Sequence, residues 1–253
     1  MLSVIVITKN ESRDIARCLA SVAWADEIIV LDSGSSDDTV AICQRFTQQV
    51  FVTDWPGFGR QKQRALDKAR GDWVLSLDAD EEVTEALKQD IQRALLRTDA
   101  QGYEIPRLSS YCGRQMKHGG WWPDHVLRLF RRDAGRFSDD VVHERVVVAG
   151  PIGRLREPLL HESYVDLDEV LRKVNSYSTL GAQKLFEQGK RSSLGLAIAK
   201  GAWTFIRTYV LRAGFLDGAQ GLMLAISNAE ASYYKYLKLR DLYRLQATPK
   251  PAP

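Results

Sequence analysis

Cysteine is scarce in this chain. The three that occur, Cys18, Cys43 and Cys112, are odd in number and far apart. They form no Cys-x-x-Cys pair, which excludes a disulfide framework and a zinc spacing and leaves reduced thiols as the expectation. Long uncharged stretches are lacking too. In the last third the longest, 218–229, has 12 residues, against the roughly 20 a helix needs to cross a bilayer. The opening Leu2-Ser3-Val4-Ile5-Val6-Ile7 carries no basic leader and no small-residue cleavage site, so it reads as a first core strand and not as a signal peptide. There is no internal repeat, no basic helix and no aromatic RNA-binding signature, so nucleic acid is not an expected partner.

What is present is enough for a full core: 253 residues, 45% of them apolar. The net charge of +3 conceals an asymmetry. Residues 165–253 hold 13 Lys and Arg against 7 Asp and Glu, while 1–164 hold 22 against 25. A basic tail on a mildly acidic body points to an anionic partner, either a membrane surface or a phosphorylated substrate.

The first half alternates strands (2–8, 27–32, 49–53, 72–78) with helices (12–22, 38–46, 58–69), Ser36-Asp37-Asp38 offering a cap for the second helix. Such alternation predicts an α/β fold with a parallel sheet covered on both faces, where ligands bind beyond the carboxyl ends of the strands. A helix follows at 84–96. Strands at 102–108, 126–130 and 145–148 then complete a mixed sheet. Beyond 166 three helices are expected, near 167–187, 193–211 and 217–245. The divisions predicted are a catalytic domain over 1–164, a helical region over 165–248 and a disordered tail at 249–253.

Two strand ends carry carboxylates. Asp78-Ala79-Asp80 closes the apolar run Trp73-Val74-Leu75-Ser76-Leu77. If strand alternation persists, both carboxylates point the same way and reach one Mg²⁺ or Mn²⁺ shared with a diphosphate; a solvated acidic surface pair is the other reading. Asp32-Ser33-Gly34-Ser35 closes Ile28-Ile29-Val30-Leu31. Its carboxylate either accepts hydrogen bonds from a bound base or ribose, or caps an ordinary strand-to-helix turn.

Taken together, Leu2–Glu11, Leu31–Thr39 and Leu77–Glu81 resemble glycosyltransferase family 2 in order and spacing. The later Gly119-Gly120-Trp121-Trp122-Pro123-Asp124, Arg128-Leu129-Phe130-Arg131-Arg132 and Val142-His143-Glu144 resemble its branch of lipopolysaccharide-core β-glucosyltransferases. The resemblance implies a GT-A fold, Rossmann-like with a nucleotide-sugar site, a C-terminal helical extension, and inverting transfer from a nucleotide sugar. It places Thr8, Asn10, Glu11, Asp32 and Lys62 around the nucleotide, with Asp78 and Asp80 at ribose and metal. The family's usual aspartate pair is here Asp32-Ser33.

Inversion needs a base for the acceptor hydroxyl proton. Glu144 is the first choice, with Asp140 and Asp139 behind it; a surface carboxylate is the alternative for Glu144. His161 matches the late histidine that GT-A enzymes recruit to metal or diphosphate, a packed or hydrogen-bonded histidine being the alternative that histidines more often take. Trp121 and Trp122 suit a platform for sugar faces, and Arg128, with Arg131 and Arg132, suits acceptor phosphates; core packing and a solvated basic face are the competing readings.

In the tail, Lys200 and Arg207 punctuate an apolar helix and Tyr233-Tyr234-Lys235-Tyr236-Leu237-Lys238 adds interfacial residues. That combination predicts a peripheral protein on the anionic cytoplasmic leaflet, the alternative being a helical subdomain packed on the catalytic domain or a second subunit. The expectation is therefore a metal-dependent hexosyltransferase, drawing glucose from UDP-glucose and acting on an inner-core heptose or similar lipid-linked acceptor. Polyprenyl phosphate is the alternative acceptor. A catalytically silent nucleotide-binding membrane scaffold is the reading from another class, and the retained Asp32, Asp78 and Asp80 speak against it.

Overall fold

A computed structural model describes residues 1–138 and 145–247. By chain contacts it divides into two compact units, Met1–Leu108 with Pro123–Glu162, and Ser109–Trp122 with Ser163 onward.

The first unit is built on four parallel strands, β1 (Leu2–Thr8), β2 (Glu27–Asp32), β3 (Val50–Val52) and β4 (Trp73–Asp78), in the order β3-β2-β1-β4. β1 and β2 are buried at every position, as expected for central strands covered on both faces. Alternate residues feed two cores. Val4, Val6, Val30, Leu75 and Leu77 face one, with Ile15 and Leu19 of α1 (Ile15–Ser21) beneath them. Ile5, Ile7, Ile29, Leu31 and Val74 face the other. The short α2 (Thr39–Cys43) follows β2, and α3 (Phe58–Leu66) adds Ala65 and Leu66 to the second core. After β4 come β5 (Glu81–Val83) and α4 (Glu85–Leu95), whose Leu87 and Ile91 close the first core. Thr84 caps α4 by accepting the Leu87 N–H at 3.1 Å. Within the expected capping segment of α2, Asp37 accepts the Thr39 N–H and hydroxyl, while Asp38 makes no capping bond.

The sheet then turns antiparallel. β6 (Gly102–Tyr111) has the two-residue β7 (Arg114–Gln115) at its end, and β8 (Asp124–Arg131) inserts between β4 and β6. The strand expected at 145–148 does not extend this sheet. β9 (Gly135–Phe137) and β10 (Val146–Val148) form a separate two-stranded ribbon. Gly135 permits it, because a side chain there would meet the Phe130 ring at 2.2 Å. β11 (Ile152–Arg154) pairs with β6, and β12 (Leu159–Tyr164) lies antiparallel to β5 with His161 opposite Glu81.

The second unit holds α5 (Leu167–Glu187), α6 (Leu194–Ile206) and α7 (Gly218–Ala247), with α5 and α6 both packed along α7. Asp166 and Ser193 cap the first two through the Glu169 and Leu196 N–H groups. Gly201 lets α6 approach α7 closely, its missing side chain lying 3.3 Å from the Ala229 carbonyl. The helix expected over 193–211 changes pitch at Arg207–Leu211, which is π-helical, and a 3₁₀ turn, Gly214–Asp217, leads into α7. Among the described residues no helix is long and apolar enough to cross a membrane.

Candidate functional site

The carboxyl ends of β1 and β2 are stitched together before any ligand arrives. The Thr8 carbonyl accepts the Ser33 N–H, the Ser35 hydroxyl accepts the Asn10 N–H, the Asn10 side-chain oxygen accepts the Ser36 N–H, and Thr39 accepts the Glu11 N–H, all at 2.8–2.9 Å. Asn10 takes a left-handed backbone, φ 55°, which an asparagine tolerates better than most side chains. Asp32 is fully buried. It accepts the Gly34 and Ser35 N–H groups and the Ser35 hydroxyl. These contacts match the reading of Asp32 as the residue that shapes its own turn. The Thr8 hydroxyl is buried without a partner among the described residues. Thr8, Asn10, Glu11 and Asp32 thus share one preformed loop pair. Gln61, absent from the sequence-based candidates, fastens α3 to it through Ser33 and Thr53.

At the end of β4 the strand stops at Asp78, and Ala79-Asp80 form a turn. Alternation therefore fails where the shared-ion expectation needed it, and the two aspartates take different partners. Asp78 pairs with Lys62 at 2.9 Å and with Arg128. Asp80 lies 3.3 Å from His161 Nε2, brought there by the pairing of β12 with β5. Burial alone would raise the Asp78 carboxyl, yet Arg128 and then Lys62 outweigh it and hold it far below the usual carboxylate range. Glu81, fully buried, behaves oppositely. Its Oε1 meets Arg128 at 2.6 Å and its Oε2 accepts the Asp78 N–H at 2.9 Å. Burial raises this carboxyl, Asp78 adds to the rise, and Arg128, His161 and Arg107 oppose it.

Arg128, expected at an acceptor phosphate, is instead the counter-ion of these two carboxylates. Only 7% of it is exposed. Burying Glu81 fully beside the half-buried Asp78 requires such a cation, since an uncompensated buried charge is costly. Arg107 extends the cluster, reaching Glu81 at 3.5 Å and Asp124 at 2.7 Å. Glu81, Arg107 and Asp124 were missed as candidates because their partners are fixed by the pairing of β6, β8 and β4, and no local motif announces that pairing. A cavity of about 780 Å³ opens on this cluster, walled by Lys62, Asp78, Arg107, His125, Arg128 and Arg145.

No three His, Cys, Asp or Glu side chains converge as a metal cage among the described residues. Asp80 with His161 is a two-donor set. A hard divalent cation often takes one or two protein ligands and completes its shell with phosphate oxygens and water, so these residues fit Mg²⁺ or Mn²⁺ bound together with a diphosphate. Asp78, held by Lys62 and Arg128, is less available for such a role.

The expected bases Glu144 and Asp140, with Asp139, lie outside the described residues. Trp121 and Trp122 belong to the second unit. Trp121 packs on Tyr111 and Tyr164, ring centroids 5.8 and 5.7 Å away, so part of its surface is taken up by core packing. Trp122 is half-buried.

The parallel order β3-β2-β1-β4, with its polar strand ends, is that of a GT-A nucleotide-sugar fold, and the chain belongs to a family of that fold. Residues 3–148 match the model of glycosyl transferase family 2. Over 261 residues the chain is 31% identical to the lipopolysaccharide core biosynthesis glycosyltransferase LpsC of Rhizobium meliloti, covering 98% of this chain and 95% of that one. It is 33% identical to an uncharacterized glycosyltransferase of Rickettsia prowazekii, covering 95% and 87%. Among solved structures it is similar to glucosyl-3-phosphoglycerate synthase of Mycobacterium tuberculosis in complex with Mg²⁺ and UDP, 26% identical with a TM-score of 0.36 over 45% of this chain and 44% of that one.

Proposed function

We propose that this glycosyltransferase moves a hexose, glucose from UDP-glucose, with inversion onto a lipid-linked saccharide of the lipopolysaccharide inner core. The observation that carries the reading is the charge arrangement closing β4: an aspartate kept ionised by Lys62 and Arg128, beside an aspartate–histidine pair 3.3 Å apart. Full-length similarity to LpsC supports the acceptor class.

In this reading the loop pair of Thr8, Asn10, Glu11 and Asp32 receives the nucleotide. Asp78, ionised at any physiological pH, accepts a ribose hydroxyl, and Lys62 stands close to the nucleotide's negative charge. Asp80 and His161 would hold a divalent cation, which would supply positive charge against the diphosphate. The bond from the sugar's anomeric carbon to the diphosphate oxygen breaks as the bond to the acceptor oxygen forms on the opposite face. The acceptor proton passes to Glu144, with Asp140 as the alternative base. Membrane residence belongs to the same proposal. The second unit exposes Ile198, Trp203, Ile206, Val210 and Leu211, and 190–216 contains five Lys and Arg and no Asp or Glu, a composition suited to the anionic inner face of the cytoplasmic membrane.

The test is transfer and hydrolysis of labelled UDP-glucose, with and without Mn²⁺ or Mg²⁺, on delipidated core oligosaccharide. Metal-dependent turnover should fall at least 100-fold in Asp80→Ala, a typical scale for losing charge stabilisation. Turnover untouched by EDTA and by Asp80→Ala would remove the metal from the proposal.

A further inference from the structure

In the second unit, residues 112–122 form a knot around Asp217. Its carboxylate is buried, and it accepts the Lys117 N–H at 3.1 Å, the His118 N–H at 2.8 Å and bonds His118 Nδ1 at 2.9 Å. Anchoring at Nδ1 turns the other ring nitrogen away from Asp217, and the His118 side chain is 36% exposed. Two arginines stand beside the same knot, and a lysine belongs to it in sequence. Arg114 Nη1 is 3.6 Å from where a side chain on Gly218 would begin. Lys117 flanks His118. Arg212 lies flat against Gly120, which has φ 86° and on which any Cβ would stand 2.1 Å from the guanidinium nitrogen; the Arg212 carbonyl accepts the Gly119 N–H at 2.8 Å.

Among the described residues no carboxylate pairs with Arg114, Lys117 or Arg212. Asp217 is already shared with two N–H groups and the imidazole, while Asp166 and Glu169 lie near enough to act on Cys112 without pairing with any of the three cations. Exposed cations with no paired carboxylate repel one another, and an anion relieves that. The neighbourhood also says which anion. Leu211, Phe215 and Leu216, flanking Arg212 and Asp217 in sequence, are 63%, 50% and 55% exposed. Forked donors beside exposed apolar side chains match a phosphate at the boundary between water and hydrocarbon.

We propose that Arg114, Lys117, His118 and Arg212 form a binding site for the phosphomonoester headgroup of an anionic lipid, Asp217 holding the imidazole and Gly120 seating the Arg212 guanidinium. The proposal rests on the reading of the second unit as membrane-facing. It does not require that the first unit transfers glucose.

The experiment is vesicle co-sedimentation of the full chain without nucleotide sugar. One set of vesicles contains phosphatidylcholine with 20% phosphatidic acid, and a second is matched in charge with phosphatidylserine. The variants are Arg114→Ala/Arg212→Ala and a charge-matched control on α5, Arg172→Ala/Lys184→Ala, all four positions being exposed. The site predicts tighter binding to the phosphatidic acid vesicles, at least a tenfold weakening in Arg114→Ala/Arg212→Ala, and less than a threefold change in the control. His118→Gln, which leaves the arginines in place, should give an intermediate loss. Equal weakening of both double variants, or no preference for the phosphomonoester, would overturn the site and leave general electrostatic attraction. Inorganic phosphate competing in the millimolar range would show that the site reads phosphate without its lipid, which overturns the lipid part. Loss of glucosyl transfer with vesicle binding intact would count against the enzymatic reading alone.

Discussion

Among single residues, Arg128 shows how much one side chain can fix. Asp78 and Glu81 are three apart in sequence and adjacent in space, and both touch its guanidinium. The result is an uneven pair, Asp78 held ionised and Glu81 pushed upward by burial. Arg128→Ala leaves the buried Glu81, and an Asp78 that is partly exposed and still paired with Lys62, with too little positive charge, so the cost should lie toward the low end of the about 3–5 kcal/mol for a broken buried pair. A clear fall in urea midpoint is therefore expected. Adding Glu81→Gln should restore part of it by deleting the less tolerated of the two charges. No recovery in the double variant would mean that Arg128 acts through packing and not through charge.

At the scale of elements, Glu27 at the start of β2 ties three pieces of chain. It accepts from the Ser3 hydroxyl of β1 at 2.5 Å, from the Arg70 N–H at 3.0 Å and from Gln49 at 3.1 Å, with the Arg70 side chain at 2.7 Å. Burial opposes ionisation, yet these donors hold the carboxyl down at about 2, below its ordinary 4.5. Because the folded value is the lower one, the contribution is complete above about pH 4.5 and is lost as pH falls from there toward 2. It amounts to about 3 kcal/mol. Urea unfolding of wild type and Glu27→Gln from pH 5 to pH 2 should show the two stabilities converging on the acid side; parallel curves would refute the assignment.

Legibility follows the same scale. The runs of β1, β2 and β4 are mostly apolar and end in polar residues, so both the strands and the ligand-facing ends could be read directly. The helical tail, with no alternating run after 166, was equally plain. β5 and β12 were not, since Glu81-Glu82-Val83 and Leu159-Leu160-His161-Glu162-Ser163-Tyr164 owe their extended form to each other and not to local pattern. With them went the nearness of His161 to Asp80 as anything firmer than a family expectation. The Asp78-Ala79-Asp80 geometry was misjudged for a related reason: a triplet does not reveal where its strand stops. Arg128 could be placed on a strand, but the partner across the sheet is a property of topology.

For the whole molecule, the question is what the two units face. The segment 194–216 exposes nine large apolar side chains, Leu194 to Leu216, far more than a freely soluble helical unit ordinarily shows as one stretch. If a bilayer takes them up, Trp203→Ser with Leu211→Ser should weaken binding to phosphatidylglycerol-containing vesicles by tenfold or more, since burying each such side chain is worth about 1.5–3 kcal/mol. Circular dichroism should be unchanged, because Trp203 and Leu211 are 54% and 63% exposed. Undiminished vesicle binding would instead favour a protein surface as the cover for this face.

The three cysteines carry a practical corollary. Cys18 points its thiol at the Asp78 carbonyl from full burial, which pushes it well above the ordinary range; burial raises Cys43 to about 11, and Cys112, half-buried, is raised as well. Only the thiolate reacts with alkylating reagents, so at neutral pH the native thiols should react more slowly than a freely exposed cysteine. A single cysteine placed at Ile198 or Leu216 would then be the fastest-reacting handle on the molecule, ready for a spin label or an environment-sensitive dye that reports depth in a bilayer.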